Sequence, residues 1–248
     1  MKVSFVDATW QEELALTEQV ISEITKKARS IALFASVQFL KLDTIIAQLK
    51  RAGITVLETR AKRTNAARQI LGCDVYHDSF DADIIADADL ILYIGDGLFH
   101  PQALLYAQIL TGKIHDVLLF DPLDKQHKYI GRENILPHLK KLKANILRYL
   151  SADTIGILVT LKPGQQHLDL ALKLKETLAS SGKKAYLFLD NTFDYAQLEN
   201  FSDIKAWVNT ACPRIGLDDI ITISKPLINL NDATRSVEML EAIKNVLA

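Results

Sequence analysis

The sequence predicts an α/β protein built from two similar small domains, each a parallel sheet flanked by helices. Short apolar segments alternate with amphipathic segments along the whole chain, which is typical of a parallel sheet covered by helices. The order strand, helix, glycine stop and strand also occurs twice, which indicates an internal duplication. We expect a first domain over residues 1–133 and a second over residues 134–248.

In the first domain, the segment Leu42–Leu49 has the apolar stripe of a helix, and Gly53 follows it as a stop signal. A second helix is predicted over Gln102–Leu110. The segment Asp121–Lys128 is polar and rich in turn residues, so we expect a connection there. The four predicted strands are Ser30–Ala35, Ile54–Glu58, Asp89–Ile94 and Asp116–Phe120.

The second domain repeats this plan after a basic amphipathic helix, Leu136–Leu150, that joins the halves. Its next helix is centred on Leu168–Leu178 and stops at Ser181-Gly182. A last helix is predicted to begin at the N-cap Asn231-Asp232. The predicted strands are Thr154–Val159, Ala185–Leu189, Ala206–Asn209 and Pro226–Ile228. The face that the last helix buries is predicted to be Val237, Leu240, Ile243 and Leu247.

Composition argues against several functional classes. The 248 residues have a net charge of −1, which gives no overall attraction to nucleic acid or to an anionic membrane. The N-terminus Met1–Asp7 lacks the apolar region of a signal peptide. No apolar run approaches the roughly 20 residues that span a bilayer. We therefore expect a cytoplasmic protein with neither a membrane nor a nucleic acid as its partner.

The chain has two cysteines, Cys73 and Cys212, and each is expected in a compact loop just after a strand. They could form a disulfide, pack as inert core residues, or ligate a metal or an iron–sulfur cluster. A reducing compartment disfavours the disulfide. Arg63 and Arg68 near Cys73 favour the thiolate that binds metal, although the loop taken alone favours an inert buried cysteine.

Ligands of α/β sheets bind beyond the carboxyl ends of the strands, and four loops there have unusual chemistry. The first, Arg63–Asp74, contains Cys73, and the last, Asn209–Asp219, contains Cys212 with an arginine and two carboxylates. The second, Tyr93–Pro101, has two glycines before a helix whose amides could receive an anion. The third, Leu161–Gln166, offers a cation and amides at a helix start. A tight turn without function is the alternative for the second loop.

The histidines are scattered, and only two remain as candidates for a site. His77 lies close to Cys73 in sequence, and His100 follows the two glycines of the second loop. No paired zinc motif, nucleophile elbow or dinucleotide fingerprint is present in the sequence. The remaining histidines are expected at the surface or in linkers: His115, His127, His138 and His167.

Taken together and in this order, the four loops resemble those of the diphthamide synthase family, and the similarity runs over essentially the whole chain. This family consists of 3-amino-3-carboxypropyl transferases that modify a histidine of elongation factor 2. The resemblance implies a radical reaction in which S-adenosylmethionine is cleaved at a 4Fe-4S cluster. The similar segments are Arg63 with Gln69–Cys73, Gly95–Pro101, Lys162–Gln165, and Val208–Ile215 with Asp218-Asp219.

The resemblance also implies roles for individual residues. Cys73 and Cys212 would ligate the cluster. Arg214 would clamp a carboxylate, and Asp218 and Asp219 would hold the amino group or orient the target histidine. The residues expected to bind the S-adenosylmethionine cofactor are Gly95, Gly97, His100, Lys162 and Gln165.

Two departures from the family accompany the resemblance. The chain matches the second and third family domains, so the first domain and its cysteine are not matched. Ala67-Arg68 stands where the family has Pro-Gly. Either a partner chain in a heteromer supplies the missing domain and cysteine, or a ligand such as His77, Asp74 or His100, or a homodimer, completes the site. The remaining alternative is a paralogue without a cluster that binds a small molecule or a protein.

Overall fold

The structure is a computed structural model that describes residues 9–248, so the prediction for Met1–Asp7 lies outside the described residues. It consists of two compact units, one ending at Ile135 and the other spanning Leu136–Ala248. Each unit has a mostly parallel sheet flanked by helices, which confirms the predicted α/β fold class. None of the helices described is long and apolar enough to cross a membrane.

The first unit has a five-stranded sheet in the order β2-β1-β3-β4-β5. The strands β1 to β4 are parallel, and β5 is antiparallel to β4. One face of the sheet packs on α1 and α2, where Val20, Ile45 and Leu49 meet Leu33 and Leu92 in the core. The elements are α1 (Glu18–Lys27), β1 (Ser30–Ala35), α2 (Asp43–Arg51), β2 (Thr55–Leu57), β3 (Leu90–Ile94), α3 (Phe99–Ala107), β4 (Val117–Phe120) and β5 (His127–Ile130).

Strand β5 is a feature that sequence reasoning missed, because Asp121–Lys128 was expected to be a connection. Only Ile130 of this strand is fully buried, so the strand lacks the continuous apolar run by which the others were found. The register pairs Val117 with Ile130 and Phe120 with His127. The strand covers the edge of β4.

The second unit has a four-stranded sheet in the order β7-β6-β8-β9, and all its strands are parallel. Helix α5 packs on β6 and β7, α4 packs on β8 and β9, and α7 packs on α4. Trp207 is fully buried against Phe188 and Phe201. The elements are α4 (Leu136–Ser151), β6 (Thr154–Thr160), α5 (Leu168–Ser180), β7 (Lys184–Asp190), β8 (Ala206–Asn209), β9 (Leu227–Asn229), α6 (Leu230–Thr234) and α7 (Ser236–Leu247).

The C-terminal helix differs from its prediction. It begins at Leu230, and the Asp232 carboxylate accepts a hydrogen bond from the Asn229 N–H, so the cap is Asn229 rather than Asn231-Asp232. A break at Arg235 separates α6 from α7. Val237, which is predicted on the buried face, is exposed. The buried side chains of α7 are Met239, Leu240, Ala242, Ile243 and Val246.

The two sheets share the strand order β2-β1-β3-β4 and β7-β6-β8-β9, as a duplicated fold requires. The cysteines nevertheless occupy different places in this order. Cys212 directly follows β8, the third strand of its unit, as expected. Cys73 lies in the long connection between β2 and β3, so the expectation that it directly follows a strand is wrong. Strand β3 is the third strand of the first unit, so the loop at Gly95 that follows it corresponds to the Cys212 loop.

Candidate metal and substrate site

The chain before Cys73 runs alongside the carboxyl end of β1. The Ala35 N–H donates to the Arg68 carbonyl over 2.8 Å, and the Ile70 N–H donates to the Ala35 carbonyl over 3.2 Å. These bonds form a single parallel bridge between Ala35 and Gln69. Cys73 therefore reaches the ligand-binding edge of the sheet although its connection began at β2.

The turn from Leu71 to Asp74 holds the Cys73 backbone. The Leu71 N–H donates to Asp74 Oδ2 over 2.8 Å, and Arg63 Nη2 donates to the Cys73 carbonyl over 3.2 Å. Asp74 is fully buried, and Arg63 Nε lies 3.8 Å from its Oδ1. Burial raises the pKa of Asp74, while the Leu71 N–H and Arg63 act in the opposite direction. Asp74 thus serves the turn itself, which argues against its expected role as an alternative cluster ligand.

The Cys73 turn packs against the glycine loop that follows β3. A Cβ at Gly72 would overlap the Phe99 ring in its present position, so the two loops approach closely at this glycine. Gly97 has φ +65°, a conformation that favours glycine. The His100 ring stacks on Tyr93 with 6.4 Å between centroids. The structure therefore brings Cys73 and the expected cofactor residues Gly95, Gly97 and His100 to one edge of the first unit.

Helix α3 begins at Phe99, three residues before the predicted start at Gln102. Its N-cap residue, Leu98, makes no side-chain capping bond. The first-turn amides are therefore not capped by that side chain, as an anion site at a helix N-terminus requires. These amides follow directly after the glycine loop that contains Gly97.

In the second unit, two buried asparagines hold the Cys212 loop. Asn209 Nδ2 donates to the Cys212 carbonyl over 2.9 Å and to Asn229 Oδ1 over 2.8 Å. Asn229 Nδ2 in turn donates to the Pro213 carbonyl over 2.7 Å. The asparagines are register partners at the carboxyl ends of β8 and β9. We call this pair the asparagine latch. The pair was not predicted, although asparagines at the ends of two neighbouring strands could have indicated a contact between them.

Arg214 is buried and forms an ion pair with Asp218, with Nε donating to Oδ2 over 2.6 Å. A role as a substrate clamp would require this guanidinium to leave Asp218. Burial raises the pKa of Asp219, and the neighbouring Asp218 raises it further. Burial, Asp219 and Cys212 together raise the pKa of Tyr195 to about 12.

His138 lies beside this ion pair rather than in a linker, which corrects its predicted placement. Burial lowers the pKa of His138, Asp218 raises it and Arg214 lowers it. The sequence could have indicated this partly buried position, because His138 lies on the same helix face as Leu142 and Tyr149. The cluster beside the Cys212 loop thus contains two carboxylates, a guanidinium, an imidazole and a phenol.

The third loop, Leu161–Gln166, follows β6 and is exposed along its whole length. The Gln165 N–H donates to the Lys162 carbonyl over 3.1 Å, and Gly164 has φ +77°. Lys162 and Gln165 therefore belong to a solvent-facing turn at the carboxyl edge of the second sheet. Their expected role in cofactor binding stays a prediction.

Cys73 and Cys212 are both partly exposed thiols, with no disulfide among the residues described. Thiolates are the usual ligands of iron–sulfur clusters, so the donor chemistry at these two positions fits such a group. Within residues 9–248, no three Cys, His, Asp or Glu side chains form a group that could hold a metal ion. His77, the other alternative ligand, lies in the 3-10 turn His77–Ser79 after the Cys73 loop.

Comparison with known proteins gives consistent matches. The family described as "Putative diphthamide synthesis protein" matches residues 1–242. The 2-(3-amino-3-carboxypropyl)histidine synthase of Pyrococcus horikoshii is 32% identical over 210 residues, covering 84% of this chain and 57% of the relative. Subunit 1 of the synthase of Yarrowia lipolytica is 25% identical over 244 residues, covering 94% of this chain and 51% of the relative. The crystal structure of Dph2 from Pyrococcus horikoshii with a 4Fe-4S cluster superposes with a TM-score of 0.72 at 29% identity, covering 92% of this chain and 64% of that one.

Proposed function

Because this chain belongs to the diphthamide synthesis protein family, we propose that it takes part in the first step of diphthamide biosynthesis. In this step a 3-amino-3-carboxypropyl group passes from S-adenosylmethionine to a histidine of elongation factor 2. The chain spans 51% to 57% of the length of the two curated relatives compared. Because relatives of this chain are named as subunit 1 of a synthase, we propose that it acts as one subunit, together with a chain that supplies a further thiolate.

The observation that carries the proposal is the placement of the two thiols. Each lies partly exposed on a loop at the carboxyl edge of a parallel sheet, one in each unit. Ligands of α/β sheets bind at this edge. Cys73 and Cys212 would hold a 4Fe-4S cluster together with a third thiolate from the partner, and the fourth iron would remain open for the substrate.

A bound cluster would supply the one-electron chemistry that cleaves the sulfonium. The chain's own residues would bind and orient the substrate. The glycine loop and the first-turn amides of α3 would receive the carboxylate of its methionine part, with His100 beside them. Lys162 and Gln165 would provide a second, solvent-facing contact at the edge of the other sheet.

Arg214 is better assigned a role in shaping the Cys212 loop than the predicted role of substrate clamp. Its guanidinium is buried and bound to Asp218 within the same loop. Removing one partner of such a pair leaves a buried charge without compensation. Asp219 is exposed and remains the carboxylate of this loop that is best placed to meet the amino group or the acceptor histidine.

The test is a transfer assay under strict exclusion of oxygen. The full chain, co-expressed with a partner chain that contributes one cysteine, is incubated with S-adenosylmethionine, a reductant and elongation factor 2. We expect the acceptor to gain the mass of one 3-amino-3-carboxypropyl group on a histidine. Cys73→Ala and Cys212→Ala should each abolish the gain, because each removes one ligand of the cluster.

Ser224→Ala is the matched control, since it truncates a side chain at the amino end of the second sheet, where Ser224 donates to Glu199. This variant should keep full transfer. An acceptor that gains no mass with a cluster-loaded parent chain would contradict the proposal. Equal transfer by the partner in the absence of the chain would do the same.

A further inference from the structure

Tyr93 lies near the carboxyl end of β3, and its side chain is fully buried at the glycine loop that follows the strand. Its ring lies nearly parallel to the His100 imidazole, with 13° between the planes and 6.4 Å between the centroids. Aromatic rings attract each other in offset stacks with centroids about 4.5 to 7 Å apart. The Phe99 ring meets the same imidazole edge-on, with 5.5 Å between the centroids. His100 is therefore held between a buried ring and a surface ring.

The Tyr93 ring is itself fixed by the loop backbone. An added Cβ at Gly95 would lie only 2.6 Å from the Tyr93 hydroxyl oxygen, so the phenol reaches the loop at that glycine. Burial raises the pKa of the phenol, and the nearby Ser36 hydroxyl acts in the opposite direction. No residue among 9–248 forms a hydrogen bond of ordinary geometry with the phenol oxygen. The contact with His100 is therefore made by the planar ring, and the hydroxyl is not needed for it.

We propose that Tyr93 is a positioning residue, whose ring holds the His100 imidazole ready to contact the carboxylate of the methionine part of the substrate. Tyr93 acts only through His100, because its own side chain is fully buried. His100 is the second residue of α3, so it lies at the first-turn amides that are expected to receive the same carboxylate. The inference rests on the proposed function and adds the residue that orients one of its substrate contacts.

The physical reason for such a support is the cost of ordering a side chain on binding. An imidazole that is free to change rotamer loses this freedom when it binds a ligand, and the loss weakens the affinity. The stack on Tyr93 orders the imidazole before the substrate arrives. A role in core packing alone would require only volume, which another apolar side chain of similar size also provides. The two roles therefore differ in whether the effect of losing the planar ring depends on His100.

A double-mutant cycle separates these roles. The binding of S-adenosylmethionine to the cluster-loaded complex is measured by isothermal titration calorimetry. Tyr93→Leu and His100→Ala should each raise the Kd about tenfold. The double variant should also raise it about tenfold rather than about a hundredfold, because both changes remove the same contact. Tyr93→Phe keeps the ring and should bind like the parent. Tyr93→Met keeps most of the volume without a planar ring and should behave like Tyr93→Leu.

Chemical modification of His100 provides a second readout that needs neither cluster nor substrate. The full chain is treated with diethyl pyrocarbonate, and tandem mass spectrometry follows His100 and His77 in the tryptic peptide Gln69–Lys113. Loss of the stack in Tyr93→Leu or Tyr93→Met should make His100 react about threefold faster, because the imidazole is less protected. His77 is the internal control and should react at the parental rate.

Phe34→Leu is the matched control variant. Phe34 is the register partner of Tyr93 on β1, is fully buried and contacts Phe80. Its loss should leave both the Kd and the His100 reaction rate unchanged. A Tyr93→Leu effect on the Kd that is equally large with and without His100 would contradict the inference, as would an unchanged His100 reaction rate in Tyr93→Leu and Tyr93→Met. A parent complex that binds no S-adenosylmethionine would contradict the proposed function, whereas the reaction rate would still decide whether Tyr93 holds the imidazole.

Discussion

The two thiol loops are held by different physical means. The Cys73 turn depends on charged groups, because the Asp74 carboxylate receives the Leu71 N–H and the Arg63 guanidinium binds the Cys73 carbonyl. The Cys212 loop depends on the neutral amides of the asparagine latch, Asn209 and Asn229. The Arg63 side chain is half exposed, whereas both asparagines are fully buried.

This difference follows from the position of each cysteine relative to the strands of its sheet. Cys212 directly follows β8, so side chains at the ends of β8 and β9 bond to the backbone of its loop. Cys73 lies in a long connection that pairs with β1 only at a single bridge. The buried Asp74 carboxylate therefore accepts the Leu71 N–H of the turn. We expect the backbone held by the asparagine latch to be stiff, and the Cys73 turn to be more adaptable and to respond to the titration of Asp74.

The largest effect is expected from Asn229→Ala. It removes the donor to the Pro213 carbonyl and the acceptor of one Asn209 N–H, so Asn209 Nδ2 keeps only its bond to the Cys212 carbonyl. The second unit should lose about 2 to 4 kcal/mol of unfolding free energy. Urea unfolding followed by Trp207 fluorescence in a Trp10→Phe background measures this loss, because Trp10 and Trp207 are the two tryptophans of the chain.

Asn145→Ala is the control, since Asn145 donates to the Leu227 carbonyl away from the thiol loop. It should cost about 1 to 2 kcal/mol. It should leave the native-state alkylation rate of Cys212 unchanged, whereas Asn229→Ala should raise that rate. Equal alkylation in both variants would show that the latch does not position the thiol.

The second prediction compares the glycines that pack behind the two loops. A Cβ at Gly216 would overlap the Asn229 side chain, which is held in the latch. A Cβ at Gly72 would overlap the Phe99 ring, which is 52% exposed and can rotate away. Gly216→Ala should therefore cost about 1 to 3 kcal/mol, and Gly72→Ala less than about 1 kcal/mol. Urea unfolding of both variants checks the order, and a larger loss for Gly72→Ala would contradict the stiff-loop account.

The third prediction concerns pH. Burial raises the pKa of Asp74 above its ordinary value of 3.8. A raised pKa in the folded state means that stability is fully present below the unfolded pKa and falls as pH rises through the folded pKa. Protection of the Leu71–Asp74 amides in hydrogen exchange, corrected for the intrinsic rate, should decrease from pH 4 upward.

Asp74→Asn keeps an acceptor for the Leu71 N–H but does not titrate, so this decrease should disappear. The asparagine latch has no titrating group, and the amides of Ala211 and Cys212 serve as the internal control. An unchanged pH profile in Asp74→Asn would contradict the assignment.

The smallest effect is expected at Arg68, a non-glycine residue that has φ +69°. This conformation costs a non-glycine residue about 1 to 2 kcal/mol, and glycine removes the cost while gaining freedom in the unfolded chain. Arg68→Gly should stabilise the first unit by about 0.5 kcal/mol, after loss of the 3.7 Å pair with Glu58. Lys125→Gly, at φ +58°, is the matched control outside the thiol loop. Thermal unfolding of both variants measures the change, and destabilisation by Arg68→Gly alone would show that its ion pair matters more than its backbone.

The strands could be predicted from the sequence because continuous apolar runs indicate burial on both faces of a sheet. Strands β1 and β8 have the predicted bounds, whereas β5 was missed because it is short and half exposed. The chemistry of the loops was also readable, since cysteines, glycines and arginines stand out locally. The contacts between distant segments, such as Asn209 with Asn229 and His138 with Asp218, could not be predicted. Such contacts depend on strand order and register, which no single segment encodes.

We propose that Cys73 and Cys212 contribute to one iron–sulfur site that a third thiolate completes. Anaerobic reconstitution of the full chain with its partner, followed by iron and sulfide quantification, measures whether such a site forms. We predict four irons and four sulfides for each complex. Cys73→Ala and Cys212→Ala should each lose them, whereas Ser224→Ala should keep them. A complex without iron, or one whose iron content survives the loss of either cysteine, would contradict the account.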